Sequence, residues 1–519
     1  MTRLPVNRRG FLGGSAALIS ALTLRPSASW SVEGGILRIR EEGDIANLDP
    51  MKMAGLTEEV VMRGIYTTLV TLGDVRDGSK LSNWAASSME QVDPTTIKFV
   101  LKPGLKWSGG FGPVTPDDVK FSYERIADPA NESPWKYQFE KLDKVEVIDD
   151  LTGLIKLKEP FAPLWWMSLP WYGGHIISRK ATEKVGGSFT TEPPAVCGPY
   201  VMAEWQPKQK IVLQANPDWP GPAAAFPTVE IIIVEDNDAA LLAYEADSFD
   251  YTKVNMSATE RLKKSPLPDT KLIEAQSSRY VWLTVNMEHP KLQDPRVRQA
   301  LQYAFDGASV ITGAYNDLVP RSAGLAQPGT FGARDKNIID TPDYEKAKAL
   351  LAEAGASDLE LELAVMNTST PMAIAQIIQA TMAQAGITIS IMPYDEGVYW
   401  TLGDQASGET YKTLQLVLMQ FSGGIDPSEN MVWFRPDQVG VYNWSRWKSD
   451  AFEKLYQEGL VEQDQAKRAE IYKKMQDLME ESGAFIFITH EPLVAVYRDF
   501  FEPVVLADTF LSLPQCKKA

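Results

Sequence analysis

The chain has 519 residues, 44% of them apolar, and a formal net charge of −17 from 51 basic and 68 acidic side chains. That length exceeds what one hydrophobic core usually supports, so two or more lobes are expected. So acidic a surface repels phosphate backbones and disfavours nucleic acid as a partner; its sign serves solubility and mildly steers cationic solutes.

The first element is a leader. Asn7-Arg8-Arg9-Gly10-Phe11-Leu12-Gly13 precedes a small, apolar run over residues 14–24, then Arg25 and Pro26-Ser27-Ala28-Ser29. Arg3, Arg8, Arg9 and Arg25 have no acidic companion there, the pattern of a twin-arginine export leader. An ordinary secretory leader with a basic start would end in the same compartment. The run is far shorter than the roughly 20 residues that span a bilayer. Residues 1–29 are therefore read as a signal peptide, cleaved near Ser29. No cysteine ends the leader, which argues against a lipid anchor and for a periplasm. Cys197 and Cys516 would then sit in an oxidising compartment, and a disulfide between them is left open.

Residues 35–40 alternate like a first strand, which Asn47-Leu48-Asp49-Pro50 ends in a loop. Residues 96–101 (TIKFVL) form the next clear strand, closed by the turn residues Lys102-Pro103-Gly104. Thr115-Pro116-Asp117-Asp118 then offers an N-cap oxygen, a first-turn proline and two acids at the positive end of a helix. Its apolar residues are Val119, Phe121 and Ile126. Trp205 with Ile211-Val212-Leu213 reads as paired strands, residues 229–234 as a buried strand and 238–246 as a helix. A second block opens with a strand at 279–286. Asp294-Pro295 starts a helix with Val297, Leu301 and Phe305 on one face. Helices over 343–354 and 372–385, stopped by Gly355 and Gly386, alternate with strands over 359–366 and 387–392. Amphipathic helices over 451–459 and 466–482 precede a strand at 484–489. This alternation makes an α/β lobe. Crossings between lobes are expected near 276–282 and 487–491, giving lobe I at 30–281, lobe II at 282–487 and a return to lobe I at 488–519. No internal repeat supports a solenoid.

Read in order, Asn83-Trp84-Ala85, Leu105-Lys106-Trp107 and Val114-Thr115-Pro116-Asp117-Asp118-Val119-Lys120-Phe121-Ser122 resemble the signature region of the family 5 extracellular solute-binding proteins. Those are peptide, nickel and oligosaccharide receptors of bacterial ABC importers. Leu48-Asp49-Pro50, Ile65-Tyr66-Thr67-Thr68-Leu69, Pro194-Ala195-Val196-Cys197-Gly198-Pro199-Tyr200 and Asp294-Pro295-Arg296-Val297-Arg298-Gln299-Ala300 continue the likeness over essentially the whole mature chain. Thr67 stands where relatives carry Glu, and Cys197 where they carry Thr. The resemblance implies a two-lobed α/β periplasmic binding protein, with an extra subdomain in lobe I and a hinge between lobes. It further implies a monomeric receptor without catalytic activity, cofactor or metal, which meets an ABC permease and ATPase at the inner membrane.

Catalytic signatures fail on the residues themselves. His175, His289 and His490 lack metal-ligand spacing, and no Gly-x-Ser-x-Gly elbow occurs. Residues 73–80 imitate a phosphate loop, but the final pair is inverted. An exported hydrolase and a chaperone-like binder remain the rivals from other classes.

Binding calls for a cleft with stacking platforms and hydrogen-bonding groups. Of the 14 tryptophans, Trp165, Trp166 and Trp171 lie beside Pro163 and Pro170 and read as packing. The better candidates lie in residues 416–433, where an apolar strand enters Phe421-Ser422-Gly423-Gly424-Ile425-Asp426-Pro427 and two glycines expose backbone amides. The resembled family has its ligand loop here, typically Trp-x-x-Asp followed by Asp-Pro. Asp426-Pro427 keeps the second part. The acid that salt-bridges the ligand amino terminus in dipeptide receptors falls on Gly424. Their carboxylate-binding Arg, about 21 residues before Gly386, falls on Val365, beside Met366 and Asn367. With neither charge clamp a free dipeptide is disfavoured, leaving longer peptides, oligosaccharides or sugar conjugates. The candidate contacts are Phe421, Ser422, Gly423, Gly424, Asp426, Trp433, Trp400, Tyr399, Asn443, Arg279, Trp282 and Asn367.

Overall fold

The computed structural model describes residues 35–53, 55–77 and 80–519. The leader expected at 1–29 lies outside them, as do Gly78 and Ser79 of the 73–80 loop.

The first strand, Ile36–Glu41, buries Leu37 and Ile39 as its alternation predicts and pairs in parallel with Thr228–Ile233. Beyond that lie the antiparallel strands Lys210–Ala215 and Tyr200–Gln206. On the other side of the first strand, Tyr251–Lys253 leads to two long strands, Thr270–Val285 and Phe485–Arg498, antiparallel to each other. These two carry one sheet from lobe to lobe. Residues 270–275 pair with 493–498 at one end of these strands, and residues 279–284 pair with 485–491 at the other. There Leu416–Ser422, Glu360–Met366 and Thr388–Tyr394 complete the order of ten.

The sequence reading begins the first of these strands only at 279. Gln276-Ser277-Ser278 interrupts the apolar alternation, yet Ser277 and Ser278 are buried, and the ladder is irregular between Ala275 and Arg279. Such irregularities bend and twist a strand, and this one falls where the two lobes meet.

A separate four-stranded antiparallel sheet holds Ala86–Asp93, Thr96–Leu101, Thr152–Leu157 and Leu142–Val147 in that order. The helix Pro116–Ala127 covers it. One carboxylate organises the signature region: Asp118 Oδ2 accepts from Trp107 Nε1 at 3.1 Å and from the Thr115 amide at 2.9 Å, while Oδ1 accepts from the Arg179 amide at 2.9 Å. Arg125, on the same helix, grips both oxygens of Asp49 at 2.9 Å and ties the Leu-Asp-Pro turn to it. The motif residues are thus mutual hydrogen-bond partners, and their spacing is a packing requirement.

Three large cores follow. One fills lobe II around Leu283, Leu363 and Ile378, and one fills lobe I around Leu37, Tyr66 and Ile231. The third runs from Phe99, Tyr123 and Phe139 of the subdomain to Trp282, Met431 and Phe434 of lobe II, so the lobes are closed on each other.

The disulfide left open by the sequence is not formed. Cys197 and Cys516 are both buried free thiols, Cys197 in the core shared with the subdomain and Cys516 in that of lobe I, where its Sγ donates to Ser512 O at 3.3 Å. Among the described residues no helix is long and apolar enough to cross a membrane.

Candidate functional site

The lobe II wall begins where Leu416–Ser422 leaves the sheet. Gly423 donates its amide to Ser278 O at 3.1 Å, and Asp426 caps the short helix Pro427–Met431, its Oδ1 accepting from the Ser428 amide at 3.0 Å and the Ser428 hydroxyl at 2.7 Å. Arg468 holds the same carboxylate with two bonds, 2.5 and 2.7 Å long. Asp426 is therefore committed to scaffold. The glycines are set by close approach: a Cβ on Gly423 would stand 1.7 Å from Asn430 Oδ1, and one on Gly424 would stand 2.9 Å from Glu429 Cγ.

The facing wall comes from lobe I. Tyr137 donates its hydroxyl to Glu429 Oε1 across the seam at 2.7 Å, and its ring meets Trp433 edge-on at 5.9 Å. Trp171 stacks on Tyr172 with centroids 4.2 Å apart and lies 3.6 Å from the Cβ position of Gly424. Nearby, Gln138 spends its oxygen on the Gly173 amide at 3.0 Å. The amide of Ala162 reaches Leu460 O at 2.9 Å and closes the seam further along.

Four buried polar atoms on these walls have no partner: Gln138 Nε2 and Trp171 Nε1 from lobe I, Glu429 Oε2 and Asn430 Oδ1 from lobe II. Trp282 Nε1, beneath Phe421, is a further unpartnered donor on the lobe II side. Buried polar groups are almost always hydrogen-bonded, so unpartnered atoms on both walls of one seam single it out as the candidate site for a polar solute. Burial pushes the Glu429 carboxyl up to about 8; neighbouring Asp426 adds to this and the Tyr137 hydrogen bond opposes it.

Beside this polar centre lies an aromatic face. Phe421 is half-buried, stacks against Trp400 at 6.0 Å and meets Trp282 at 5.1 Å and Tyr442 at 6.1 Å; Trp433 meets Tyr442 at 5.0 Å. The structure therefore brings Phe421, Gly423, Gly424, Trp433 and Trp400 together. Trp282 is buried beneath Phe421. Tyr399 is buried and donates to Leu418 O at 2.5 Å; Asn443 is buried and spends its carboxamide on Phe434 O, Trp447 O and the Ser445 hydroxyl. Both shape the wall from behind. Arg279 pairs with Glu491 at 3.0 Å at the strand crossing, opposite exposed Ser422, and Asn367 lies exposed beyond Glu360–Met366 with its amide 3.5 Å from Asp395. Val365 is buried in the lobe II core.

Sequence reasoning missed Tyr137, Gln138, Glu429 and Asn430, and read Trp171 as packing alone. Two of these, Glu429 and Asn430, lie two and three positions after Pro427, and an acid in the first turn of a capped helix is a legible signal. Their unpartnered state is visible only in three dimensions. The histidines serve packing. His490 is pushed down to about 4 by burial, against a hydrogen bond to Leu325 O; its other nitrogen lies 2.9 Å from the Ser322 hydroxyl. His175 Nε2 lies 3.0 Å from Glu59. Among the described residues, no group of three or more His, Cys, Asp or Glu side chains is placed to hold a metal ion.

Comparison with known proteins agrees with this architecture. The dipeptide-binding protein of Escherichia coli K12 is 27% identical over 536 residues, covering 97% of this chain and 96% of its own. The crystal structure of the ABC transporter substrate-binding protein CtaP from Listeria monocytogenes superposes with a TM-score of 0.81 at 23% identity, over 93% of this chain and 99% of that one. That of MoaA from A. tumefaciens R10 in complex with mannopinic acid gives 0.78 at 23% identity over 93% and 99%. Residues 80–440 match the family described as bacterial extracellular solute-binding proteins, family 5 Middle, and the chain belongs to that family.

Proposed function

We propose that this protein is the periplasmic solute-binding component of an ABC importer, exported by its twin-arginine leader, and that it captures a peptide-like or other polar solute between its lobes for delivery to a permease and ATPase. The observation that carries this reading is the seam itself, where buried polar atoms of both lobes lie unpartnered beside an aromatic platform. A solute touching both walls favours the closed arrangement by its differential affinity for it. We divide the chain into lobe I at 30–281 and 488–519 and lobe II at 282–487, a division that the two strands running between the lobes support. The protein acts as a monomer, and its work is binding without turnover.

A second reading, a receptor for an oligosaccharide or sugar conjugate, is favoured by Gly424 and Val365, which supply neither charge of a dipeptide clamp. A neighbour with the same fold holds mannopinic acid. Fractions of a cell extract, followed by mass spectrometry of what remains bound, test the proposal. A bound fraction should raise the melting temperature and change tryptophan emission, because Trp171 and Trp433 line the seam. Failure of every fraction to do either would overturn solute binding, and turnover of the bound compound would establish a hydrolase.

A further inference from the structure

Glu429 occupies an unusual position. Its side chain lies over Gly424 so closely that no Cβ fits there. Its Oε1 is engaged by Tyr137 of the opposite lobe, while Oε2 is buried and unpartnered. Among the described residues no cation pairs with it. Arg468 is taken by neighbouring Asp426, and the titratable groups that act on or face Glu429 are Asp426 and the phenols of Tyr137, Tyr172, Tyr280 and Tyr456. A carboxyl buried among phenols and one carboxylate, with no cation, is stable as the neutral acid, which both donates and accepts a hydrogen bond. Three further unpartnered atoms on the two walls of the seam, Asn430 Oδ1, Gln138 Nε2 and Trp171 Nε1, belong to uncharged groups.

We propose that Glu429 is the specificity-determining residue of the seam, and that with Asn430, Gln138 and Trp171 it selects a solute presenting uncharged hydroxyl or amide groups over one presenting an ammonium group. The proposal rests on the solute-binding reading above. An ammonium group placed there would need a full counter-charge, which the protein supplies only by ionising a carboxyl in a dry site. A hydroxyl or amide needs hydrogen bonds alone, and the four atoms provide two N–H donors, one amide acceptor and one carboxyl O–H.

Matched probes decide the matter. Isothermal titration compares trialanine with N-acetyl-trialanine, and deacetylated chitobiose with N,N′-diacetylchitobiose. The acetylated member of at least one pair should bind more tightly, by about tenfold or more. E429A should weaken that member by a similar factor and erase the preference, whereas E429Q, neutral and of like shape, should restore both in large part. Y137F removes the hydroxyl on Oε1 and spares Oε2, so it should weaken both members alike. The infrared band of a protonated carboxyl at neutral pH, lost in E429Q, gives a readout independent of any ligand. The proposal is overturned if the amines bind as tightly as their acetylated partners, if E429Q is as damaging as E429A in a folded protein, if the infrared band is missing, or if none of the four probes binds. In that last case the cell-extract experiment still judges solute binding separately.

Discussion

Asp426 looks from sequence like a ligand contact, and its geometry predicts a different consequence of removing it. Its carboxylate is 2% exposed and the Arg468 side chain 6%, with both oxygens of one bonded to both terminal nitrogens of the other. Arg468 is further held by Gly459 O at 2.6 Å and the Tyr472 hydroxyl at 2.8 Å. Burial alone would lower the guanidinium pKa, yet Asp426 and Tyr472 together raise it. Breaking a buried pair by removing one member leaves the other charge uncompensated and costs about 3–5 kcal/mol. R468M strands the carboxylate, D426N strands the guanidinium, and each should destabilise by that amount. For a cooperative unit of lobe size, at about 2–4 °C per kcal/mol, the melting temperature should fall by roughly 6–20 °C. The double variant carries no buried charge at this place, so its loss should be smaller than the sum of the singles by about 0.5–3 kcal/mol. Urea unfolding of the four proteins measures the cycle. If D426N leaves the midpoint unchanged while abolishing ligand-induced stabilisation, Asp426 is a ligand group and the scaffold argument is wrong.

Three further outcomes are expected. Gly424→Ala places a Cβ 2.9 Å from Glu429 Cγ and 3.6 Å from Trp171 and should cost about 1–3 kcal/mol in thermal unfolding; an unchanged midpoint would mean the seam is looser than described. Glu429 holds its proton in the folded state up to about 8 against an ordinary 4.5, so its contribution is complete below 4.5 and is lost as pH rises through that window, by up to about 1.4 kcal/mol per unit. His490, pushed down to about 4 from 6.5, acts oppositely, losing stability as pH falls through its own window. The two slopes oppose each other between 4.5 and 6.5. Melting temperature should therefore decline from 6.5 to 8 in the wild type and be flatter there in E429Q, and equal slopes would refute the Glu429 assignment. Burial pushes the Cys516 thiol up to about 12 and Cys197 well above its ordinary range, so neither should react with Ellman's reagent in the native protein and both should react after denaturation. Absence of thiols after denaturation without reductant would establish the disulfide instead.

What could be read from the chain and what could not divides by sequence distance. Trp107, Thr115 and Asp118 lie within a dozen positions and bond to one another, so their order carries both the local fold and the family. The lobe II wall is legible for the same reason, since Phe421 to Pro427 is one contiguous turn. The polar centre depends on Tyr137 meeting Glu429 across 292 positions, and no local pattern announces such a pair. Polarity also misleads in both directions. Asn443 and Asp426 look available and are spent on their own wall, while Ser277 and Ser278 look like a loop and are buried in a continuous strand. Gly424 shows the limit most clearly. In sequence it reads as a missing carboxylate, a loss of function relative to dipeptide receptors. In space, the volume a side chain at 424 would need is filled by Glu429 and bounded by Trp171, so a carboxyl at 424 and the present placement of Glu429 exclude each other. The acid at this corner of the seam therefore comes from position 429, where burial favours the neutral carboxyl.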